Sequence, residues 1–263
     1  MEKITELNKL KAAIRRHFRG GMATNFTLSE AEIFCELKSG GLFIEESPDC
    51  LYILRERDGH RILNYYVNSL PLPPVPDGLT VCEITARGRE NLRRDIISAL
   101  EDAGFTPLFE RVRLVRQAGR AEPNGGGAYK LSAAGESDIA GVSSLFASCF
   151  DRLTGCLSSE SVLAGRIAAG SVFIAKRDGS VAGAVETAAD KGFTEIRHLA
   201  VRENDRGRGL GGELVRYYLN ETGGRKSFVW TEPGKPAAYK TYVNCGYTED
   251  GNVSLVLMKG RKT

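Results

Sequence analysis

The sequence predicts an α/β fold written twice, and three observations lead there. Residues 193–212, FTEIRHLAVRENDRGRGLGG, read as a buried strand, a polar turn and glycines that open a helix. Residues 227–248, SFVWTEPGKPAAYKTYVNCGYT, read as a short strand at Ser227–Thr231, a break at Pro233 and Gly234, and a helix begun by Pro236 and closed by Gly246. Residues 29–44 and 159–174 align at a constant offset of 130, each as an N-capped amphipathic helix ended by glycine and followed by a strand.

The elements follow in order. Residues 2–20 carry Ile4, Leu7, Leu10, Ile14 and Phe18 at helical spacing with basic residues elsewhere, which fits a packed amphipathic helix better than a membrane-surface or RNA-binding one. In the repeat, Ser29, Glu30, Gly40, Phe43 and Ile44 are matched by Ser159, Glu160, Gly170, Phe173 and Ile174. Ile33 and Leu37 pair with Leu163 and Ile167, one helical turn apart. A charged turn and a second strand follow in both copies, around Asp58-Gly59 and Asp178-Gly179. Gly104-Phe105-Thr106 mirrors Gly246-Tyr247-Thr248 before a last strand, PLFERVRLVR at 107–116 in the first copy. Residues 117–127, QAGRAEPNGGG, suit a linker, and a new strand is expected around Tyr129 to Leu131. The expected domains are therefore 1–117 and 128–263.

At 263 residues and 42% hydrophobic, the chain can bury one large core or two smaller ones. A formal net charge of +3 gives no case for a nucleic-acid partner. No apolar run reaches a membrane-spanning length, and the N-terminus lacks the apolar block of a secretory signal, so a cytoplasmic protein is expected. Cys35, Cys50, Cys82, Cys149, Cys156 and Cys245 show no C-x-x-C spacing, which suits free thiols rather than a zinc site or a disulfide framework. His17 and His60 show no partner spacing and are expected at the surface.

Function becomes arguable at residues 206–212. Glycines there let main-chain N–H groups approach an anion, and the following helix aims its positive end at the same spot. One reading is a dinucleotide site: Gly207, Gly209 and Gly212 spell Gly-x-Gly-x-x-Gly, with Glu232 about twenty residues later. Against it stand four polar residues, Arg202 to Asp205, between strand and loop, two arginines inside the loop, and the late position of the motif.

The pattern resembles the GNAT N-acetyltransferase superfamily. Leu199, Ala200 and Val201 match its strand, and Arg206, Gly209 and Gly211 match its Arg-x-x-Gly-x-Gly loop. Ala238, Tyr242, Gly246 and Tyr247 match its later Ala-x-x-x-Tyr-x-x-x-Gly-(Phe/Tyr) helix. The resemblance implies two GNAT-like domains, each a mixed, mostly antiparallel sheet flanked by helices. It implies acetyl-coenzyme A on Leu199, Ala200, Val201, Arg206, Gly207, Arg208, Gly209, Leu210, Gly211 and Gly212, and no metal. The first copy has SLPLPPVPDG after its strand and Leu100 where Tyr242 stands, so it reads as degenerate, packing on the active half and shaping the cleft.

Acyl transfer to an amine needs a base for the amine, donors for the developing oxyanion and a proton for the departing thiolate. The resemblance gives Tyr242 the last role, although Tyr239 or Tyr242 could instead fill the core. Glu195, six residues before Val201, sits where histone-acetyltransferase-like members carry a glutamate base; His198 or a water are the alternatives. Glu232 stands where many members have asparagine, and its role stays open. Cys245 has no nearby histidine in sequence, so direct attack in a ternary complex is expected. The acceptor, an amine of a small molecule or peptide, is not readable; the segment Phe146 to Ser159 is expected to border its cleft. Monomer and homodimer both fit, and a non-catalytic acyl-coenzyme A sensor or scaffold is the competing function class.

Overall fold

The structure, a computed structural model, describes residues 1–57, 59–121, 128–190 and 192–260. Asp58, and residues 122–127 of the expected linker, lie outside them. Two compact units form, Met1–Arg111 with Asn252–Thr263, and Val112–Gly251. These units divide within the last strand of each half. Strands β7 (Phe105–Arg116) and β13 (Thr248–Lys259) each change unit partway, because their ladder partners differ. Residues 112–116 pair with the strand at Lys226–Thr231, whereas 252–259 pair with the strand at Thr80–Arg87.

The first unit contains β1 (Glu2–Lys3), α1 (Leu7–His17), β2 (Ala23–Thr24), α2 (Glu30–Ser39), β3 (Leu42–Ser47), β4 (Cys50–Arg57), β5 (His60–Val67), β6 (Thr80–Arg87) and α3 (Arg94–Asp102). Its sheet runs β1-β3-β4-β5-β6-β13, antiparallel except for β5 and β6. Helix α2 begins as its sequence demands: Ser29 Oγ accepts from Glu32 N while the Glu32 carboxylate accepts from Ser29 N at 2.9 Å, and Gly40 closes it at φ +69°. Helix α1 is shorter than its periodicity suggests. Ile4 is buried ahead of it through a bond from its N–H to Leu42 O, and Phe18 is 68% exposed beyond its end. His17 and His60 are buried rather than superficial; the His17 ring fits between the carbonyls of Ala13 and Ser47.

The second unit continues with β8 (Lys130–Ala133), α4 (Ile139–Cys149), α5 (Glu160–Ala168), β9 (Val172–Arg177), β10 (Ser180–Asp190), β11 (Phe193–Val201), α6 (Leu210–Glu221), β12 (Lys226–Thr231) and α7 (Pro236–Asn244). Its sheet order is β7-β12-β11-β10-β9-β8, with β11 and β12 the parallel pair. Ser159 caps α5, Gly170 follows it at φ +68°, and Asp178 and Gly179 both take positive φ in the β9–β10 turn, as a primed hairpin requires. Val142, Leu145, Phe146, Leu163 and Ile167 of α4 and α5 pack on Val172, Ile174, Ala184 and Ala200 of the sheet. Helix α6 buries Leu210, Leu214, Val215, Tyr218 and Leu219. It comes so close to β10 that a Cβ on Gly183 would stand 2.8 Å from Leu214 Cδ1 and 3.3 Å from Leu210 Cδ2. Each unit is therefore a mixed, mostly antiparallel sheet flanked by helices.

Candidate active site

Strand β11 alternates as its sequence predicts. Thr194, Ile196, His198 and Ala200 are buried, while Glu195, Arg197, Leu199 and Val201 face a half-open side. Its parallel pairing with β12 runs only from Phe193↔Lys226 to Ile196↔Val229. From Arg197 to Val201 β11 continues along β10 alone, and β12 continues to Thr231 along β7. The two strands fork, and the β12-facing main-chain groups of β11 lose their ladder. A bulge accompanies the fork: Glu186↔His198 is followed by Thr187↔Ile196, so Arg197 is the extra residue.

The fork leads to the glycine turn. Glu203–Asp205 form a 3-10 turn anchored by the fully buried Asp205 carboxylate. That carboxylate accepts from Tyr129 Oη at 3.0 Å, Arg177 Nη1 at 2.9 Å and Arg202 Nε at 2.7 Å. Burial raises its pKa, but the bonds from Arg202 and Tyr129 and the two guanidinium charges outweigh that and hold it below the usual range. Arg206 then donates from Nε to Val201 O at 3.0 Å, with Nη2 3.5 Å from Cys149 Sγ. Gly207 at φ +75° and Gly209 at φ +82° are left-handed, and nothing lies within 4 Å of a Cβ placed on either. Backbone conformation, not crowding, therefore calls for glycine there, and the space in front of the turn is open. Gly209 is the N-cap of α6 and no side chain caps it, so the first-turn amides have no acceptor within the helix. Arg208 is exposed beside them.

The remaining residues named from sequence fall in distinct places. Gly211 joins three elements: its Cβ would meet Thr241 Cγ2 of α7 at 3.5 Å and Leu199 Cδ2 and Val201 Cγ2 of β11 at 3.8 Å. Gly212 lies beside the Arg216 guanidinium. The side chains of Leu210 and Ala200 are core, leaving only their main chain for a ligand. Tyr242 is 5% exposed on α7, its ring edge-on to Tyr247 at 5.8 Å between centroids. Its hydroxyl bonds to no described residue. Burial, with Cys245 and Tyr218 nearby, pushes that phenol upward, so it is protonated at neutral pH. Tyr239 is not a core tyrosine; it reaches outward and donates to Glu249 at 2.8 Å. Cys245 is buried against Gly212 O, and burial pushes its thiol upward, which disfavours a covalent relay.

Glu195 lies in the still-paired part of β11 opposite Phe228, with a carboxylate oxygen 3.4 Å from Arg197 Nε. Glu232 pairs with Lys235 at 2.6 Å. His198 points to the opposite face, its Nδ1 2.5 Å from Glu186 Oε2 and its Nε2 2.7 Å from Gly155 O. Both ring nitrogens are engaged, so the ring offers no lone pair to an amine. Glu186 was not legible as a site residue, although it is the single charged residue within SVAGAVETAA. It is fully buried and also holds Arg166. Burial raises its pKa, but the hydrogen bond and charge of His198, then Arg166, dominate and bring it down to about 2.

The corresponding fork in the first unit is filled. Its parallel pair, β5 and β6, is laddered only from Arg61↔Thr80 to Leu63↔Cys82. Beyond that, Asn25 bridges the strands: its Nδ2 donates to Leu63 O at 3.1 Å and Glu83 O at 3.0 Å, and its Oδ1 accepts from Tyr65 N at 2.8 Å. Strand β2 pairs with β5 in the same place, Ala23↔Val67 and Thr24↔Tyr66. No helix lies between β5 and β6; the connection contains the prolines and a cis Leu70–Pro71 bond.

Among the described residues no cluster of His, Cys, Asp and Glu is arranged to hold a metal ion, and no helix is long and apolar enough to cross a membrane. Residues 143–247 match the model of the acetyltransferase (GNAT) family. No curated protein sequence matches the chain. Among solved structures, a GCN5-related N-acetyltransferase from Sphaerobacter thermophilus aligns with a TM-score of 0.60 and 12% identity over 88% of this chain and 85% of that one. An acetyltransferase from the GNAT family from Colwellia psychrerythraea aligns at 0.56 and 14% over 99% of both chains. A tandem GNAT protein from the clavulanic acid biosynthesis pathway aligns at 0.53 and 11% over 85% of both. At such identities the structural likenesses speak for the fold alone. The family's own sequence pattern, matched over residues 143–247, lies across the forked strand, the glycine turn and α7.

Proposed function

We propose that the second unit moves an acetyl group from acetyl-coenzyme A to an amine of a small molecule or peptide, by direct attack in a ternary complex. The observation that carries this reading is the fork of β11 and β12, which ends at an uncapped helix N-terminus behind two left-handed glycines. The residues fit the donor. Open space in front of Gly207 and Gly209 admits a diphosphate to the amides of residues 207–212, with Arg206 and Arg208 supplying positive charge. The unladdered edge of Arg197–Val201 offers main-chain groups to the amides of a pantetheine arm.

Bound there, acetyl-coenzyme A supplies a thioester whose acyl carbon an amine can attack. Tyr242, protonated at neutral pH, gives its proton to the departing sulfur. Glu195, held near Arg197, takes the proton of the amine directly or through a water. The first unit is a degenerate copy: Asn25 and β2 fill its fork and no helix N-terminus follows its β5. We place the protein in the cytoplasm, as a monomer or homodimer. Calorimetric titration of the full chain with acetyl-coenzyme A, followed by thiol release with a panel of primary amines, tests the reading. Binding of one equivalent with amine-dependent thiol release is expected; no binding at millimolar cofactor overturns it.

A further inference from the structure

The loop between α4 and α5 is a built object. Asp151 Oδ1 accepts from Leu153 N at 2.9 Å, Thr154 N at 3.0 Å and Thr154 Oγ1 at 3.1 Å, and Gly155 N–H closes the turn on Asp151 O at 2.8 Å. A Cβ on Gly155 would stand 2.4 Å from Asp151 O, so this tight turn admits only glycine. Cys156 next to it takes φ +50°, a strained value for a residue with a side chain. Such a conformation persists only if something outside the loop holds it.

Two bonds do so. Gly155 O accepts from His198 Nε2 at 2.7 Å, and Ser158 Oγ donates to Glu186 Oε1 at 3.1 Å. At the other end, Cys149 Sγ lies 3.8 Å from Val201 O. The loop is therefore tied to β11 at Val201 and at His198, along the stretch that has left β12.

The His198 ring has a defined demand for protons. From β10 it faces the Glu186 carboxylate, which also carries Arg166 of α5; from the loop it faces the Gly155 carbonyl. From α4 and its C-cap it meets only the rings of Phe146 and Phe150, at 5.3 and 4.9 Å. Carboxylate and carbonyl both accept. A neutral imidazole has one N–H and would turn a lone pair toward one of them; the imidazolium satisfies both. We propose that His198, doubly protonated, is a positioning residue that clasps the 150–158 loop beside the open stretch of β11, where the acceptor meets the acyl donor. This rests on the acyl-transfer reading given above.

The full chain tests this in three ways. Nitrogen-15 NMR at neutral pH, assigned by the signals absent from His198→Gln, should show both ring nitrogens of His198 protonated. Amide exchange over residues 153–159, corrected for intrinsic pH dependence, should be about tenfold slower in wild type than in His198→Gln, the effect of a charge-assisted hydrogen bond. Coenzyme A should bind both proteins with similar affinity. A single-tautomer neutral ring, or loop protection indifferent to His198→Gln, overturns the clasp. Coenzyme A binding lost only in the variant places the loop on the donor side and overturns the assignment. If wild type itself fails to bind coenzyme A, the acyl-transfer reading falls, while ring protonation and loop exchange still decide whether the clasp exists.

Discussion

Replacing Glu186 by glutamine should remove a stability contribution that depends on pH in a defined way. The carboxyl titrates near its ordinary 4.5 in an unfolded chain, but is held to about 2 when folded, by His198 and Arg166 acting against burial. That gap is worth about 3 kcal/mol at roughly 1.4 kcal/mol per pH unit. Because the folded value is the lower one, the contribution is complete above about pH 4.5 and disappears as pH falls toward 2. Glutamine keeps the shape but leaves Arg166 without its counter-charge and His198 without its carboxylate acceptor, so the loss at pH 7 should be of the same order. Other acids titrate in this window too, so the informative quantity is the difference between wild type and Glu186→Gln. Urea unfolding can be followed by Trp230, the single tryptophan and a residue of β12 in the second unit. The difference should be present at pH 5, shrink below about pH 4.5 and be nearly gone by pH 2, where folded wild type is itself about half protonated. A difference as large at pH 3 as at pH 7 would refute the argument.

Four further outcomes are expected. Gly209→Ala should cost about 1 kcal/mol of stability from its left-handed backbone, and calorimetry should find coenzyme A affinity reduced at least tenfold. Tyr242→Phe should slow acetyl transfer by about 100-fold or more at unchanged coenzyme A affinity and unchanged thermal midpoint; a fast variant would make the unit a binder rather than an enzyme. Gly183→Ala should destabilise by about 1–3 kcal/mol through overpacking against Leu214 and Leu210, seen as a lower urea midpoint. Asn25→Ala should destabilise by about 2–4 kcal/mol, since three main-chain groups lose their partner, and titration should still find one coenzyme A per chain.

The parts legible in sequence were those fixed by local rules. Ser29 and Ser159 announced helix starts, Gly40 and Gly170 their ends, and the period of two along 193–201 gave the correct faces of β11. The glycines at 207 and 209 carried the backbone conformation their spacing implied. What escaped depends on partners distant in the chain. Nothing local tells that β7 and β13 change unit midway, because register is set by strands more than a hundred residues away. His17 looked superficial on a basic helix, yet two carbonyls accept it into the core. Glu186 and His198 meet only after β10 and β11 pair, and the bulge at Arg197 sets how they meet.

The two halves show how one scaffold reaches opposite ends. A parallel pair that forks leaves main-chain donors and acceptors on both inner edges, and such groups are costly to leave unpaired when shielded from water. The first unit meets the demand from its own chain: β2 takes the edge of β5, and Asn25, with two donors and an acceptor in one small group, ties the rest together. The route that follows, through prolines without N–H groups, has no helix whose dipole could attract a phosphate. In the second unit β11 departs into Asp205, a fully buried acid that fixes the turn through Tyr129, Arg177 and Arg202. The glycines beyond are presented to open space and not to a neighbouring segment. A fork left open beside an anchored glycine turn leaves the β12-facing edge of residues 198–201 without a strand partner among the described residues. An extended ligand with amides along its length and a diphosphate at one end matches both.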